Sequence, residues 1–171
     1  AINGFGRIGR ITMRALLQKE GVEVIAINDL TSTETLAHLF KYDSVHRSFR
    51  GQVSSEDGFL HVNNNAIRVF AEKDPSKLPW KDLGIDVVIE ASGKFTSAQG
   101  AGLHLEAGAK QVIISAPSTD KEVPTVVLGV NDHLIDLSSR ILSNASCTTN
   151  NVAALVKVLD DNWGVVNGYI T

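Results

Sequence analysis

The sequence predicts a doubly wound α/β fold, in which helices cover both faces of a mostly parallel sheet. Its 171 residues, 43% hydrophobic and 20% charged, have the composition of a globular protein. Short runs rich in β-branched residues recur along the chain, and several lack the strict alternation of a half-exposed strand. Helical stretches separate some of these runs, and that order is typical of a parallel sheet.

The first half of the chain begins this pattern and departs from it once. The expected elements are strands at 1–3 and 22–27 and a helix over 8–19. Thr31 and Glu34 then have the spacing of a capping box, which predicts the start of a second helix. Between residues 51 and 69, turn signals separate short strand-like pieces, so we expect a small antiparallel insertion there.

The second half returns to alternation. The expected elements are strands over 85–91, 111–115, 126–130 and 141–143, and helices over 97–107 and 148–161. Gly108 follows the first of these helices as a left-handed cap. The second helix is amphipathic, with apolar residues at helical spacing: Val152, Leu155, Val156 and Leu159. Gly164 ends it, and a strand-like piece runs from Val165 to Thr171. Both ends of the chain look cut, so we expect a larger protein.

Charge, cysteine content and hydropathy argue against several classes of function. The net charge is −3 with acids and bases interspersed, which disfavours nucleic acid or an anionic membrane as a partner. The longest apolar run, 152–156, is far shorter than the roughly 20 residues of a membrane-spanning helix. The single cysteine excludes a disulfide within the chain and any multi-thiolate metal site. The five histidines show no metal-ligand spacing, so we predict no metal.

Residues 3–10 contain the pattern Gly-x-Gly-x-x-Gly ahead of the first predicted helix. In a dinucleotide-binding turn these glycines permit the tight turn, admit the pyrophosphate and let helix and strand pack closely. Asp29 lies 20 residues after Gly9, where the pattern needs a carboxylate for the ribose 2′-hydroxyl. We therefore predict a Rossmann-type domain that binds NAD rather than NADP, because a carboxylate repels a 2′-phosphate. The alternative is an ordinary glycine-rich turn followed by a solvated acid.

The only cysteine lies in a hydroxyl-rich segment, residues 143–150. We expect Ser146 to cap the helix that follows, which places Cys147 at the first helical position. There the helix dipole and free N–H groups favour the thiolate and stabilise an oxyanion. The pattern alone leaves two interpretations open, a nucleophile and a buried structural cysteine. No histidine lies in a segment that obviously faces the cysteine, so no base is visible.

Taken together, these segments closely resemble the phosphorylating glyceraldehyde-3-phosphate dehydrogenase family of the bacterial and eukaryotic type. The resemblance rests on motifs that occur in family order through the whole chain, at residues 2–10, 28–29, 41–44, 90–95, 115–118, 129–131 and 143–150. The motif Ser-Asn-Ala-Ser-Cys-Thr-Thr-Asn at 143–150 is the most specific of them. The match covers the NAD-binding domain of the family only.

The resemblance implies a role for individual residues. The cofactor-binding positions that carry over are Gly4, Gly6, Arg7, Ile8, Gly9, Asp29, Lys73, Ser92, Gly93, Phe95 and Ser115. Cys147 corresponds to the nucleophile, with Ser146 and Thr148 at phosphate-binding positions beside it. Asn151 stands where the family usually has a second cysteine, which puts in doubt an oxidation route through two thiols but not catalysis.

The implied activity is the NAD-dependent oxidative phosphorylation of glyceraldehyde 3-phosphate to 1,3-bisphosphoglycerate by a cytoplasmic homotetramer of glycolysis. Residues 1–147 would form the NAD-binding domain, and 148–171 a helix and strand leading into a catalytic domain absent from this chain. The family's catalytic histidine falls beyond Thr171, so we expect the 171 residues alone to be inactive. Two alternatives stay open: an erythrose-4-phosphate dehydrogenase, and a dinucleotide-binding module without catalysis.

Overall fold

An eight-stranded sheet organises the structure, a computed structural model that describes residues 1–136 and 138–169. The strands are β1 (Ile2–Asn3), β2 (Ala26–Asn28), β3 (Val53–Glu56), β4 (Phe59–Val62), β5 (Asn65–Phe70), β6 (Val87–Glu90), β7 (Gln111–Ile114) and β8 (Ile141–Ser143). Their order across the sheet is β3-β4-β5-β2-β1-β6-β7-β8. All neighbours from β5 to β8 are parallel, whereas β3, β4 and β5 form an antiparallel meander. The predicted doubly wound sheet with an antiparallel insertion is confirmed.

Four α-helices accompany the sheet within the described residues. They are α1 (Arg7–Leu16), α2 (Thr33–Lys41), α3 (Ala98–Glu106) and α4 (Cys147–Trp163). Short 3₁₀ helices span Pro75–Lys77 and Asp132–Leu134. Gly108 follows α3 with φ +104° and Gly164 follows α4 with φ +74°, as their predicted capping roles require. None of these helices is long and apolar enough to cross a membrane.

The strand predicted at 22–27 is shorter and later in the structure, at Ala26–Asn28, and three further predictions differ from the structure. Helix α2 is capped by Ser32, whose hydroxyl accepts from the N–H of Thr35, so the capping-box assignment to Thr31 is wrong. Residues 126–130 are not a strand, since side-chain acceptors bend the chain there: Asn131 Oδ1 accepts from the N–H of Val127 at 2.7 Å. Residues 165–169 contain no strand, and the remaining two residues of that predicted piece lie outside the described part.

Burial of β1 at the centre of the sheet fixes where a ligand can bind. Ile2 and Asn3 are buried between β2 and β6, and Phe5 packs beneath the first helix against Phe40. The parallel strands β1, β2, β5 and β6 all end at one edge. The loops that follow them therefore converge there, which is where open α/β sheets bind ligands.

Helix α4 extends away from this core. Its predicted apolar stripe is largely exposed, with Val152 half-buried and Leu155, Val156 and Leu159 open to solvent. Only its first turn, beginning at Cys147, lies against the sheet edge that carries the ligand-binding loops. The helix therefore contributes its N-terminus to the site and little to the core.

Candidate active site

A cavity of about 430 Å³ opens at the carboxyl ends of β1, β2, β5 and β6, and we call it the nucleotide pocket. Six of the predicted cofactor-binding residues line it: Gly4, Gly6, Asp29, Lys73, Ser92 and Phe95. Asn3, Asn28, Leu30, Glu72, Ala91 and Lys94 complete the lining. The pocket thus combines backbone, carboxylate and amine groups with two large apolar side chains.

The three glycines of the loop at residues 3–10 have different structural roles. Gly4 has φ +89°, and a Cβ there would lie 2.5 Å from the backbone nitrogen of Ser92. A Cβ on buried Gly9 would lie 2.1 Å from the carbonyl oxygen of Gly4. A Cβ on Gly6 would meet no atom within 4 Å, so this position leaves open space at the N-terminus of α1. Gly4 and Gly9 serve close backbone packing, and Gly6 leaves room for a ligand.

The carboxylate of Asp29 is held at the rim of the nucleotide pocket. Its Oδ2 accepts from the N–H of Phe5 at 2.7 Å, and its Oδ1 accepts from the N–H of Thr31 at 2.9 Å. One oxygen is therefore tied to the glycine loop and the other to the turn after β2. Each oxygen keeps a further lone pair for a ligand hydroxyl.

A chain of buried polar side chains forms the floor of the nucleotide pocket. Asn28 donates to Oδ1 of Asn3 at 2.7 Å, and Asn3 donates to the buried carboxylate of Glu90. This layer was not identified from the sequence, although residues 3, 28 and 90 all lie within the family motifs. The only signal was the position of each polar residue at the last place of a buried strand.

A second cavity of about 360 Å³ lies between α1 and α4 on the same sheet edge. We call it the cysteine pocket, since Cys147 lines it together with the predicted residues Ile8, Ser115 and Ser146. Cys147 is exposed and is the first residue of α4, so the alternative of a buried structural cysteine is wrong. Ser146 caps the helix as predicted, with its Oγ accepting from the N–H of Thr149 at 2.9 Å.

The loop before Cys147 is held from within the helix. The side-chain amide of Asn150 donates to the carbonyls of Asn144 and Ser146 at 2.8 and 3.0 Å. Ala145 adopts φ +58°, a left-handed conformation that alanine rarely takes and that turns the chain from β8 into α4. The thiol is therefore presented by a constrained turn rather than a free loop.

Four predicted site residues line neither cavity. Arg7, Gly93 and Thr148 are exposed beside the pockets, and Gly9 is buried under the glycine loop. Within 1–136 and 138–169, no group of three or more histidine, cysteine or acidic side chains has metal-binding geometry. His104 is wholly buried, contacts Glu90 and is not among the residues that line the cysteine pocket.

The nucleotide pocket has the groups that a dinucleotide requires. Gly6 leaves open space at a helix N-terminus, where folds of this type bind phosphates, and Asp29 holds a fixed carboxylate of the kind that can accept from a hydroxyl. Lys73 and Lys94 also line the pocket, where their positive charges, beside the carboxylates of Asp29 and Glu72, are available to a phosphorylated ligand. Fold and pocket together define a dinucleotide-binding domain of the Rossmann type.

The chain belongs to a family whose model is described as "Glyceraldehyde 3-phosphate dehydrogenase, NAD binding domain", which matches residues 1–98. Among curated relatives, glyceraldehyde-3-phosphate dehydrogenase of Thermotoga maritima is 54% identical over 100% of this chain and 52% of its own length. The same enzyme of Mycoplasma pneumoniae is 52% identical over 98% and 50%. That of Clostridium acetobutylicum is 51% identical over 100% and 51%. The chain therefore spans about half the length of the curated relatives it matches.

Proposed function

We propose that the protein containing this chain is an NAD-dependent phosphorylating glyceraldehyde-3-phosphate dehydrogenase with Cys147 as its nucleophile. The observation that carries the proposal is the placement of an exposed cysteine at a capped helix N-terminus, on the sheet edge that also holds the nucleotide pocket. The names of the relatives at 51–54% identity support the same activity.

The nucleotide pocket would hold NAD through residues that we assign by position. Asp29 would accept from the adenosine ribose, and the N-terminus of α1 with Gly6, Arg7 and Ile8 would face the pyrophosphate. Gly93 and Ser115 would lie toward the nicotinamide side. When bound, NAD supplies the hydride acceptor for the oxidation.

The reaction would begin with the Cys147 thiolate adding to the aldehyde carbon, which forms a carbon–sulfur bond and a hemithioacetal. The N-terminus of α4 would face the oxyanion that develops on the substrate, which its free N–H groups would stabilise. The hydroxyl proton leaves to a base while the carbon loses hydride, and a thioester remains on the sulfur. By family resemblance that base is a histidine beyond residue 171.

Inorganic phosphate would then attack the thioester carbonyl. The carbon–sulfur bond breaks, an acyl phosphate leaves, and the thiolate of Cys147 is restored. Ser146 and Thr148 are the proposed phosphate contacts. Ser146 Oγ accepts from the N–H of Thr149 and also lies 2.8 Å from Thr149 Oγ1, so its O–H would donate to phosphate when Thr149 is the donor of that hydroxyl pair.

The decisive experiment measures NADH formation by the intact protein with glyceraldehyde 3-phosphate, with and without phosphate. We expect phosphate-dependent turnover that Cys147→Ser abolishes. Faster turnover of erythrose 4-phosphate than of glyceraldehyde 3-phosphate would overturn the substrate assignment. Activity that survives complete alkylation of Cys147 would overturn the mechanism.

The proposal includes a cytoplasmic homotetramer, as the family resemblance implies. Light scattering of the intact protein should give four times the subunit mass. A mass equal to one subunit would contradict that part of the proposal without affecting the assignment of Cys147.

A further inference from the structure

We propose that Glu90 is a positioning residue for the nucleotide pocket, because its buried carboxylate fixes the hydrogen-bond direction of the side chains that form the pocket floor. The inference rests on NAD being the ligand of that pocket. It concerns a residue that lines neither cavity and takes no part in the proposed chemistry.

Glu90 ends β6 and is only 1% exposed, yet both of its carboxylate oxygens are fully occupied. Oε2 accepts from the Asn3 amide and from Nε2 of His104, the latter at 3.0 Å. Oε1 accepts from the backbone N–H of Ser92 at 2.8 Å and from the Ser92 hydroxyl. Four donors around one carboxylate offset the cost of burying its charge.

The His104 side of this network has a fixed direction. The indole N–H of Trp80 is a donor only, and it donates to Nδ1 of His104 at 3.0 Å. The ring proton of His104 is therefore on Nε2, from which it is donated to Glu90. The Trp80 N–H can only donate, so Glu90 must be the acceptor at the other end of this series of hydrogen bonds.

The asparagine side has the same direction. The backbone N–H of Glu72 donates to Oδ1 of Asn28 at 2.8 Å, and the Asn28 amide donates to Asn3 at 2.7 Å. Asn3 then donates to Glu90. Each amide in this series is oriented by the one before it, and the first donor is again a group that cannot reverse.

Both series of hydrogen bonds, through His104 and through the two asparagines, therefore direct their donors at Glu90. Only an ionised carboxylate can accept from all of them. A glutamine would place an NH₂ against Ser92 on one side or against Asn3 and His104 on the other. If His104 or the asparagines reversed their donors and acceptors to suit the glutamine, the N–H group of Trp80 or of Glu72 would face another donor. An unsatisfied buried donor carries a large penalty, so the residues around the network would shift.

Those residues include four that line the nucleotide pocket: Asn3, Asn28, Glu72 and Ser92. Asn28 also donates to the carbonyl of Glu72 at 2.9 Å, so it holds both polar groups of that backbone beside Lys73. Buried charges are weak contributors to net stability, since apolar residues of similar volume often serve as well. We therefore attribute the requirement for a carboxylate at this position to the geometry of the pocket rather than to the stability of the fold.

The test compares Glu90→Gln with Val88→Ala, a cavity-forming change of a fully buried residue in the same strand that lines neither pocket. Calorimetry of the intact protein should show NAD binding weakened about tenfold or more by Glu90→Gln. Val88→Ala should lower the melting temperature and leave NAD affinity within about twofold of the wild type. In steady state, Glu90→Gln should raise KM for NAD far more than it lowers kcat.

His104 provides the conservative rescue. His104→Gln keeps one amide to donate to Glu90 and one oxygen to accept from Trp80, so NAD affinity should stay near that of the wild type. His104→Leu removes both functions and should weaken NAD binding. Equal NAD affinity in the wild type and Glu90→Gln would overturn the inference. Absence of NAD binding by the wild type would instead overturn the proposed function.

Discussion

The backbone N–H of Phe5 donates to Oδ2 of Asp29 across 2.7 Å, which ties the glycine loop to the end of β2. The proposed ribose acid is thus also a structural acceptor for the loop that would hold the phosphates. Loss of its carboxylate should therefore weaken the contacts to both the ribose and the phosphate of the adenosine half of the cofactor.

Replacing Asp29 with alanine should weaken NAD binding by about 1.5–3 kcal/mol, because hydrogen bonds to a charged acceptor are lost. The preference for NAD over NADP should narrow at the same time, since the charge that repels a 2′-phosphate is gone. Titration calorimetry with both cofactors measures the two effects. Asp82→Ala, at an exposed position that does not line the pocket, is the control. An unchanged affinity in Asp29→Ala would refute the assignment.

Alanine at Gly9 and alanine at Gly6 should give opposite results. At Gly9 the new methyl would meet the Gly4 carbonyl oxygen at 2.1 Å, so we expect a loss of stability of about 1–3 kcal/mol or more. At Gly6 it would meet nothing within 4 Å, so the fold should be unaffected while the methyl obstructs the pyrophosphate. Urea unfolding and NAD titration of both variants separate the effects. Full NAD affinity in Gly6→Ala would contradict this placement of the phosphates.

Two matched serine caps separate helix stability from thiol reactivity. Ser146 caps α4 through the N–H of Thr149, and Ser97 caps α3 through the N–H of Gly100, both at 2.9 Å. Alanine at either position should cost about 1 kcal/mol of stability. Only Ser146→Ala should slow iodoacetamide alkylation of Cys147, by about two- to fivefold, because the helix terminus beside the thiolate frays. Equal alkylation rates in the two variants would show that the capped terminus does not activate the thiol.

Acid should remove one identifiable contribution to stability. The Ser76 hydroxyl and backbone N–H both donate to Asp74, which lowers the pKa of its carboxyl. Because this pKa is lower in the folded state, the stabilisation is present above the ordinary aspartate value of about 3.9 and is lost as pH falls through the folded value. Asp74→Asn should therefore be less stable than the wild type at pH 7 and similar to it in strong acid. Urea unfolding at several pH values checks this, with exposed Asp82→Asn as the control.

The parts of the fold that depend on local pattern were predictable. Gly4, Gly9, Asp29 and the Ser146 cap each follow from a spacing rule between residues close in sequence, and the parallel sheet follows from the order of strands and helices. Glu90 and His104 are a different case. Their role in the buried hydrogen-bond network depends on donors from residues 3, 80 and 92, which only the folded sheet brings together.

The errors at 126–130 and 165–169 have a related cause. Both segments contain consecutive valines, which favour strands, but a strand also needs a neighbour to pair with. Asn131 and Asp160 accept from the N–H groups of Val127 and Val165 at these places. Side-chain acceptors thus occupy the backbone N–H groups of Val127 and Val165, which would otherwise be available to pair within a sheet.

The indole of Trp80 gives the pocket floor an optical reporter. Its ring is wholly buried and hydrogen-bonded to His104, whereas the only other tryptophan, Trp163, is 77% exposed. Of these two indoles, residue 80 should accordingly contribute a first, blue-shifted component of the fluorescence, and residue 163 a red-shifted component that iodide quenches. Changes in the first component would follow the order of the pocket floor in real time, without any attached dye.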